Sequence, residues 1–426
     1  MKLHYHTLKN GLSTIFIDTG SFPSITSLIL VGAGSRYENR KNNGIAHFFE
    51  HMAFKGSKDY TDAHEIAATI EGLGGVFNAF TSKDHTGYWV KAPATHLEKV
   101  VHVLSDMLLH PKLDPEEIER EKGVIIEEIN MYEDMPSSKV GDIFDDLMFA
   151  GHPLEYEIAG TKESVTAATQ QTFIDYRNTY YHPSNAVVVI AGGLGFDQKP
   201  AEGYIKLLEK YFDQWAPGEK VVPKLFVGKP DRVRVRAKKK KTEQAHFCVG
   251  FPAFSFSDER RYALGILATI LGGGMASRLF HELRERRGLC YYVSTGREMY
   301  EDTGYIVTQA GVSTQKDKIT EAIKLVVQEH RSLVKNITDE EITRAKEVLK
   351  GRMVLSLEDS HNTASFFGVQ FLLQGSKRIP QEMVQLIDAV TKDQLIHVAE
   401  AVFMQQPTIA VLSPFSEKEL ELETIS

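Results

Sequence analysis

The stretch Gly44–Ser57, "GIAHFFEHMAFKGS", places two histidines and a glutamate within five residues. A helix turns once every 3.6 residues, so His47, Glu50 and His51 share one helix face, while the phenylalanines and Met52 spread over the other side. Buried acid and imidazole groups are costly without partners. The pattern therefore predicts a helix whose polar face either meets water or coordinates a ligand.

Two histidines at positions i and i+4 on one helix face can bind a single zinc ion, and a glutamate between them can act as a general base. The order His-x-x-Glu-His is the inverse of the commoner His-Glu-x-x-His and is typical of inverzincins. A pair of ordinary, partly buried histidines would give the same short pattern. The motif alone leaves both interpretations open.

A catalytic zinc site usually has three protein ligands, and segment 114–135, "DPEEIEREKGVIIEEINMYEDM", offers candidates for the third. Its helical pattern predicts a buried face marked by four residues: Ile118, Ile125, Ile129 and Tyr132. Glu121 and Glu128 fall on the flank of that face, whereas Glu127 points toward water. Periodicity therefore favours Glu128 or Glu121 as a ligand. Two flank carboxylates bonded to lysine or arginine are the alternative.

Several stretches of the chain resemble the pitrilysin-type zinc metallopeptidases, in the half-length branch that includes mitochondrial processing peptidase and its bacterial relatives. The matching stretches are "LKNGL" (8–12), "GAGSRYE" (32–38), "NAFTSKDHTGYWV" (78–90), "YHPSNAVVVIAG" (181–192) and "LGGGMASRLFHELRERRGLCYYV" (271–293). Phe49 stands where leucine is usual in that family, and Cys290 stands where alanine is usual. Neither departure touches a candidate ligand.

The resemblance implies a complete metal site. A stretch of 76 residues separates His51 from Glu128, which falls within the family's spacing, and Glu121 with its preceding arginine matches the family's Arg-Glu pair. By this likeness one Zn²⁺ per chain is held by His47, His51 and Glu128. Glu50 becomes the general base that activates a zinc-bound water, and Glu121 orients the site.

The segment "RERRGLCY" (284–291) carries the family's Arg-x₆-Tyr pair as Arg284 and Tyr291. The resemblance implies that this pair stabilises the oxyanion, with a fixed charge from the arginine and a phenolic donor from the tyrosine. Arginine-rich helix ends are commonly just solvated, which is the alternative interpretation.

The segment "VFNAFTS" (76–82) predicts an edge strand that can accept an extended peptide by β-addition. The resemblance makes Asn78, Ala79 and Phe80 the docking residues within it. An ordinary hairpin strand is the alternative.

The 426 residues favour two domains, joined by a linker rich in proline, glycine and charge at 216–232. We expect an N-terminal zinc-binding catalytic domain at 1–215 and a C-terminal domain without the metal motif at 233–426. The stretches 27–57 and 246–274 share the layout strand, polar loop, helix and glycine stop. Strands and helices mix without βαβ alternation. This predicts two similar α+β domains with mixed or antiparallel sheets flanked by helices, related by internal duplication.

Composition excludes some classes of protein. Hydrophobic residues make up 42% and charged residues 25%, which is typical of a globular protein, and the net charge of −8 argues against nucleic-acid binding. Two cysteines fit a reducing compartment. The sequence shows no run suited to a signal peptide or a membrane span, so we expect a cytoplasmic protein.

These features predict a zinc-dependent endopeptidase that cleaves extended or unfolded peptides in the manner of a processing peptidase. The half-length resemblance implies a homodimer, or a heterodimer with a paralogue, that forms a closed chamber. A non-catalytic structural or partner subunit of the same family is the alternative, but such subunits lose the His-x-x-Glu-His residues. A metal-storage module is disfavoured because storage does not need Glu50.

Overall fold

The computed structural model describes four segments of the chain: residues 1–20, 22–195, 201–228 and 232–422, without the side chain of Ala201. Residues 229–231 of the predicted linker and 423–426 of the predicted second domain lie outside the described residues. Across these four segments, no helix combines the length and the apolar character that crossing a membrane requires.

The described residues form two sheets from these strands: β1 (Lys2–Thr7), β2 (Ser13–Asp18), β3 (Ser24–Val31), β4 (Val76–Thr81), β5 (Thr86–Pro93), β6 (Ala186–Gly192), β7 (Arg234–Lys239), β8 (Ala245–Ala253), β9 (Cys290–Met299), β10 (Gly304–Val312) and β11 (Thr408–Ser413). The helices of the first half are α1 (Ile45–Ala53), α2 (Ala63–Gly72), α3 (Leu97–Leu109), α4 (Pro115–Glu133), α5 (Pro136–Met148), α6 (Lys162–Ala167), α7 (Gln170–Tyr180) and α8 (Ala201–Phe212). Those of the second half are α9 (Arg261–Gly272), α10 (Lys316–Asn336), α11 (Asp339–Ser356), α12 (Ser360–Gln374), α13 (Pro380–Ala389), α14 (Lys392–Phe403) and α15 (Glu417–Leu420). The segment Phe280–Arg286 is π-helical.

The two sheets share one topology. The first runs β1-β2-β6-β3-β5-β4, and the second runs β7-β11-β8-β10-β9. In each sheet one pair is parallel, β2 with β6 and β7 with β11, and the other neighbours are antiparallel. The strands β2 to β6 of the first sheet correspond in order to the strands β7 to β11 of the second. With this correspondence, the second sheet has the same strand neighbours as the first. The fold is therefore α+β with two structurally similar units, as the sequence predicts.

Both faces of the first sheet are buried, and different helices cover them. On one face Phe16 and Ile29 lie in a core with α1, α3 and α7, which includes Phe48, Leu104 and Phe173. Helix α1, for which the sequence predicts a polar face, packs on this side of the sheet. The other face of the sheet packs against Ala364 and Phe367 of α12. The strand residues in this second core are Ile15, Ile17, Leu28, Leu30, Val187 and Val189.

The units are compact in space but not contiguous in sequence. The first contains Met1–Ile129, Tyr156–Lys224 and Leu355–Ile379, and the second contains Asn130–Glu155, Leu225–Val354 and Pro380–Ser426. One boundary between the two units, at Lys224 and Leu225, lies within the predicted linker. The predicted contiguous halves differ from these units because each sheet takes a helix from the other half of the sequence. Helix α12 covers the first sheet, and α5 covers the second through Phe144 and Met148.

One predicted helix is divided. The pattern over 163–180 predicts a single helix, whereas the structure has α6 and α7 with a break at Ala168, whose backbone is extended. Thr169 causes the restart, because its side chain accepts the Thr172 N–H in a capping box.

Candidate metal centre

Helix α1 carries three of the predicted site residues, and a carboxylate from outside the helix fixes where it begins. Gly44 precedes α1 with φ +91° and offers no side-chain cap. Glu38 supplies one instead, since its two oxygens accept the N–H groups of Gly44 and Ala46, both at 2.8 Å. Burial raises the pKa of Glu38 to about 7, although the hydrogen bonds it accepts act to lower it. The start of α1 lies only a few residues before His47.

The apolar side of α1 is buried, and its polar side carries the motif. Phe48, Phe49 and Met52 are fully buried. The imidazole rings of His47 and His51 lie 4.6 Å apart between centroids. The predicted sharing of one helix face is confirmed.

Helix α4 brings Glu128 to these histidines. Ile118 and Ile125 are buried, Glu127 is exposed, and Glu128 is half-buried, as the helical pattern predicts. The prediction is wrong for Tyr132, which is 38% exposed. That tyrosine lies in the last turn of α4, beyond the part of the helix that belongs to the first unit.

The ligand atoms of His47, His51 and Glu128 all lie within 4.8 Å of one another. Each histidine presents Nε2 to Oε2 of Glu128 at 3.6 Å. That distance is too long for an N–H···O hydrogen bond. Two ligands placed about 2.1 Å from one zinc ion at tetrahedral angles lie about 3.4 Å apart. The donor set and its spacing therefore fit a zinc ion.

The protonation of the imidazoles also fits a metal ligand. Glu121 Oε1 lies 2.9 Å from His51 Nδ1. A carboxylate only accepts, so Nδ1 carries a proton, and in the neutral form of this imidazole Nε2 is the nitrogen with the lone pair. Burial lowers the pKa of His47 to about 4, with a further contribution from His51, so this imidazole is neutral at neutral pH.

Glu121 is buried at 4% exposure and has partners on both oxygens. Oε1 accepts from His51, and Oε2 lies 2.5 Å from Nζ of Lys55. Burial acts to raise the pKa of Glu121, but the hydrogen bonds from His51 and Lys55 outweigh it and the pKa is lowered. Lys55 was not singled out from the sequence, because it stands two residues beyond the end of α1, where helix periodicity no longer applies.

Glu50 has a partner that the sequence did not reveal. The hydroxyl of Thr81, on β4, donates to Oε2 of Glu50 at 2.6 Å. Burial raises the pKa of Glu50, while the Thr81 bond and His51 act to lower it. A raised pKa brings a carboxylate closer to the value that suits a general base. No periodicity in the sequence says that β4 lies beside α1, so the Thr81 contact needs the fold.

Strand β4 is the edge of its sheet. It pairs with β5, and no described strand pairs with its other edge. Ala79 packs with the core beneath α1, whereas the Phe80 ring lies on the opposite face over Gly87. The Asn78 side chain is exposed and its Oδ1 accepts the Ala79 N–H at 2.9 Å. The three predicted docking residues thus lie on one free strand edge, next to Thr81.

Arg284 and Tyr291 belong to the second unit, so they are not in the same unit as the three candidate ligands. They do contact each other, since the guanidinium carbon of Arg284 lies 5.3 Å from the centroid of the Tyr291 ring. Arg284 is exposed, and Tyr291 is 71% exposed at the start of the edge strand β9.

Two family models match this chain. The model of the family "Insulinase (Peptidase family M16)" matches residues 15–162, and that of "Peptidase M16 inactive domain" matches residues 167–349. The chain belongs to peptidase family M16. The first M16 match contains the three candidate ligands, and the second covers much of the half without the motif.

Several known proteins are similar to this chain over nearly its whole length. "Uncharacterized zinc protease YmxG" of Bacillus subtilis is 34% identical over 96% of this chain and 98% of its own. An uncharacterized zinc protease of Streptomyces coelicolor is 33% identical, covering 97% of this chain and 90% of its own. A protease from Helicobacter pylori of known crystal structure has the same fold, with a TM-score of 0.89, 24% identity and coverage of 97% and 99%.

Proposed function

We propose that this M16 chain is a zinc-dependent endopeptidase that cleaves extended or unfolded peptides. The observation that carries the proposal is the group His47, His51 and Glu128, whose ligand atoms lie within 4.8 Å of one another beside Glu50. One zinc ion per chain fits this group. The two relatives from Bacillus subtilis and Streptomyces coelicolor are named zinc proteases, which supports the same metal.

The three ligands would hold the ion, which when bound supplies a Lewis acid and lowers the pKa of water. Glu50 accepts the proton of the attacking water and returns it to the leaving amine. Thr81 holds Glu50 Oε2 from the β4 side. Glu121 keeps His51 in the tautomer with Nδ1 protonated.

The free edge of β4 would receive the substrate. Its backbone N–H and C=O groups can pair with an extended peptide, which favours unfolded segments because their backbone groups are not already paired within a sheet or a helix. Asn78, Ala79 and Phe80 would form this docking edge, and Thr81 follows them directly with its contact to Glu50.

Arg284 and Tyr291 would stabilise the oxyanion in a two-chain assembly. Both side chains are exposed and belong to the second unit. The three candidate zinc ligands all belong to the first unit. We propose a two-fold dimer that encloses a chamber, in which the pair of one chain serves the metal site of the other. A paralogue in place of the identical chain would give a heterodimer.

The test of the proposed function is Glu50→Gln. The amide cannot accept a proton but leaves the three ligands in place, so zinc content should stay at one per chain while turnover of a quenched peptide falls about 10²–10⁴-fold. Near-normal turnover in this variant would refute the mechanism. A wild-type chain that cleaves no peptide despite one bound zinc would instead favour the non-catalytic subunit.

A further inference from the structure

We infer that Lys55 is a positioning residue of the metal centre, which holds Glu121 in the orientation where its carboxylate accepts the Nδ1–H of His51. This inference rests on the proposed zinc site and assigns a role to a residue outside the ligand set. Three groups form one continuous chain: Lys55 Nζ to Glu121 Oε2 at 2.5 Å, and Glu121 Oε1 to His51 Nδ1 at 2.9 Å.

The Glu121 carboxylate needs a fixed partner on each oxygen. Its side chain is only 5% exposed, so water has little access to it. A buried carboxylate with one oxygen unpaired can rotate to find another donor, and that rotation would remove the acceptor from His51. Lys55 occupies Oε2 and so leaves Oε1 for the histidine.

The backbone around Lys55 is held firmly enough for this role. The Lys55 N–H donates to the Met52 carbonyl at 3.1 Å, which continues the end of α1. Gly56 follows with φ +117°, and a Cβ atom there would lie 2.8 Å from the Thr61 carbonyl. Ser57 Oγ then donates to Asp106 on α3 at 2.6 Å. The lysine therefore projects from a segment tied to both α1 and α3.

The two histidines differ in what holds their rings in place. Nδ1 of His47 is buried and makes no hydrogen bond to a described residue. The orientation of His47 thus comes from packing, whereas His51, with a side chain 22% exposed, depends on Glu121. Loss of the lysine should consequently act on zinc binding through His51.

The experiment measures zinc affinity by competition with a chromophoric chelator. Lys55→Met keeps an unbranched apolar stem of similar size and removes the ammonium group, and it should weaken zinc binding about 10–100-fold. Lys55→Arg should bind zinc more tightly than Lys55→Met, because it keeps a donor for Oε2. Lys122→Met is the matched control: it removes a partly buried lysine of α4 that pairs with the exposed Glu119 rather than with Glu121, and it should leave the affinity unchanged.

A double-mutant cycle separates positioning from simple charge. If Lys55 acts through Glu121, Lys55→Met should add little to the loss caused by Glu121→Gln. Equal weakening in both backgrounds would overturn the inference, as would an unchanged affinity in Lys55→Met with its fold verified by thermal melting. A wild-type chain that binds no zinc would refute the proposed function itself, so the two failures are distinguishable.

Discussion

Glu127 and Glu128 are neighbours on α4 with opposite surroundings, since the first is exposed and the second faces both histidines at 3.6 Å. Glu128→Gln removes a charged ligand oxygen, so we expect marked loss of zinc after dialysis. Glu127→Gln changes the same charge on the solvent side and should retain the metal. Elemental analysis of the two proteins measures this. The reverse pattern would show that the third ligand is misassigned.

Thr81 offers a test of how Glu50 is held. Its hydroxyl is a donor to a carboxylate at 2.6 Å, a kind of bond that contributes about 1.5–3 kcal/mol. Thr81→Val removes the donor at similar volume and should lower kcat about 10-fold or more with zinc content unchanged. Thr81→Ser keeps the hydroxyl and serves as the control. Equal kcat in the valine and serine variants would contradict a positioning role.

His330 predicts a dependence of stability on pH that is separate from the metal. It is fully buried, its Nδ1 donates to the Val326 carbonyl at 2.7 Å, and burial lowers its pKa to about 4. The unfolded chain takes up a proton near the ordinary histidine value of about 6.5, whereas the folded chain does not. Stability is therefore lost as pH falls from about 6.5 toward 4, by up to roughly 1.4 kcal/mol per pH unit.

Urea unfolding of metal-free protein at several pH values in this window measures the effect of His330. His330→Gln cannot be protonated, so its stability should fall less steeply with decreasing pH than that of the wild type. Parallel curves for the two proteins would contradict the assignment of this proton to His330.

At the scale of elements, the packing of α12 on the first sheet depends on a glycine. A Cβ atom on Gly368 would lie 2.7 Å from the Leu30 side chain and 3.0 Å from that of Val189. Gly368→Ala should therefore destabilise the protein by about 1–3 kcal/mol. Gly123→Ala, in α4 of the same unit, meets nothing within 4 Å and should stabilise it by about 0.4–1 kcal/mol. Thermal unfolding compares both, and the same sign for the two would contradict the packing.

Periodicity predicted the two helices that carry the candidate ligands, α1 and α4, because each has an apolar side and a polar side. The polar face of α1 and the outward position of Glu127 followed from 3.6-residue spacing alone. What periodicity cannot give is the partner of an apolar face. The sequences of α5 and α12 do not indicate which sheet each helix covers. The contact from Thr81 to Glu50 likewise depends on which strand lies beside α1.

At the scale of the whole molecule, the proposed dimer divides one site between two chains. Glu50 and the ligands come from one chain, and Arg284 with Tyr291 from the other. Glu50→Gln and Arg284→Ala should each be inactive alone. After subunit exchange each mixed dimer contains one intact composite site, so peptide cleavage should return. Inactivity after verified exchange would place the whole site within one chain. A wild-type chain inactive without a second, different chain would indicate a heterodimer.

Because α12 belongs to the first unit, that unit cannot complete its folding during translation until α12 has been synthesised. The segment Leu355–Ile379 leaves the ribosome long after the first sheet has been synthesised. Until then the face formed by Ile15, Leu28 and Val189 has no cover from its native helix. Nascent chains of intermediate length therefore expose an apolar sheet face, which makes them candidates for chaperone binding and for aggregation during translation.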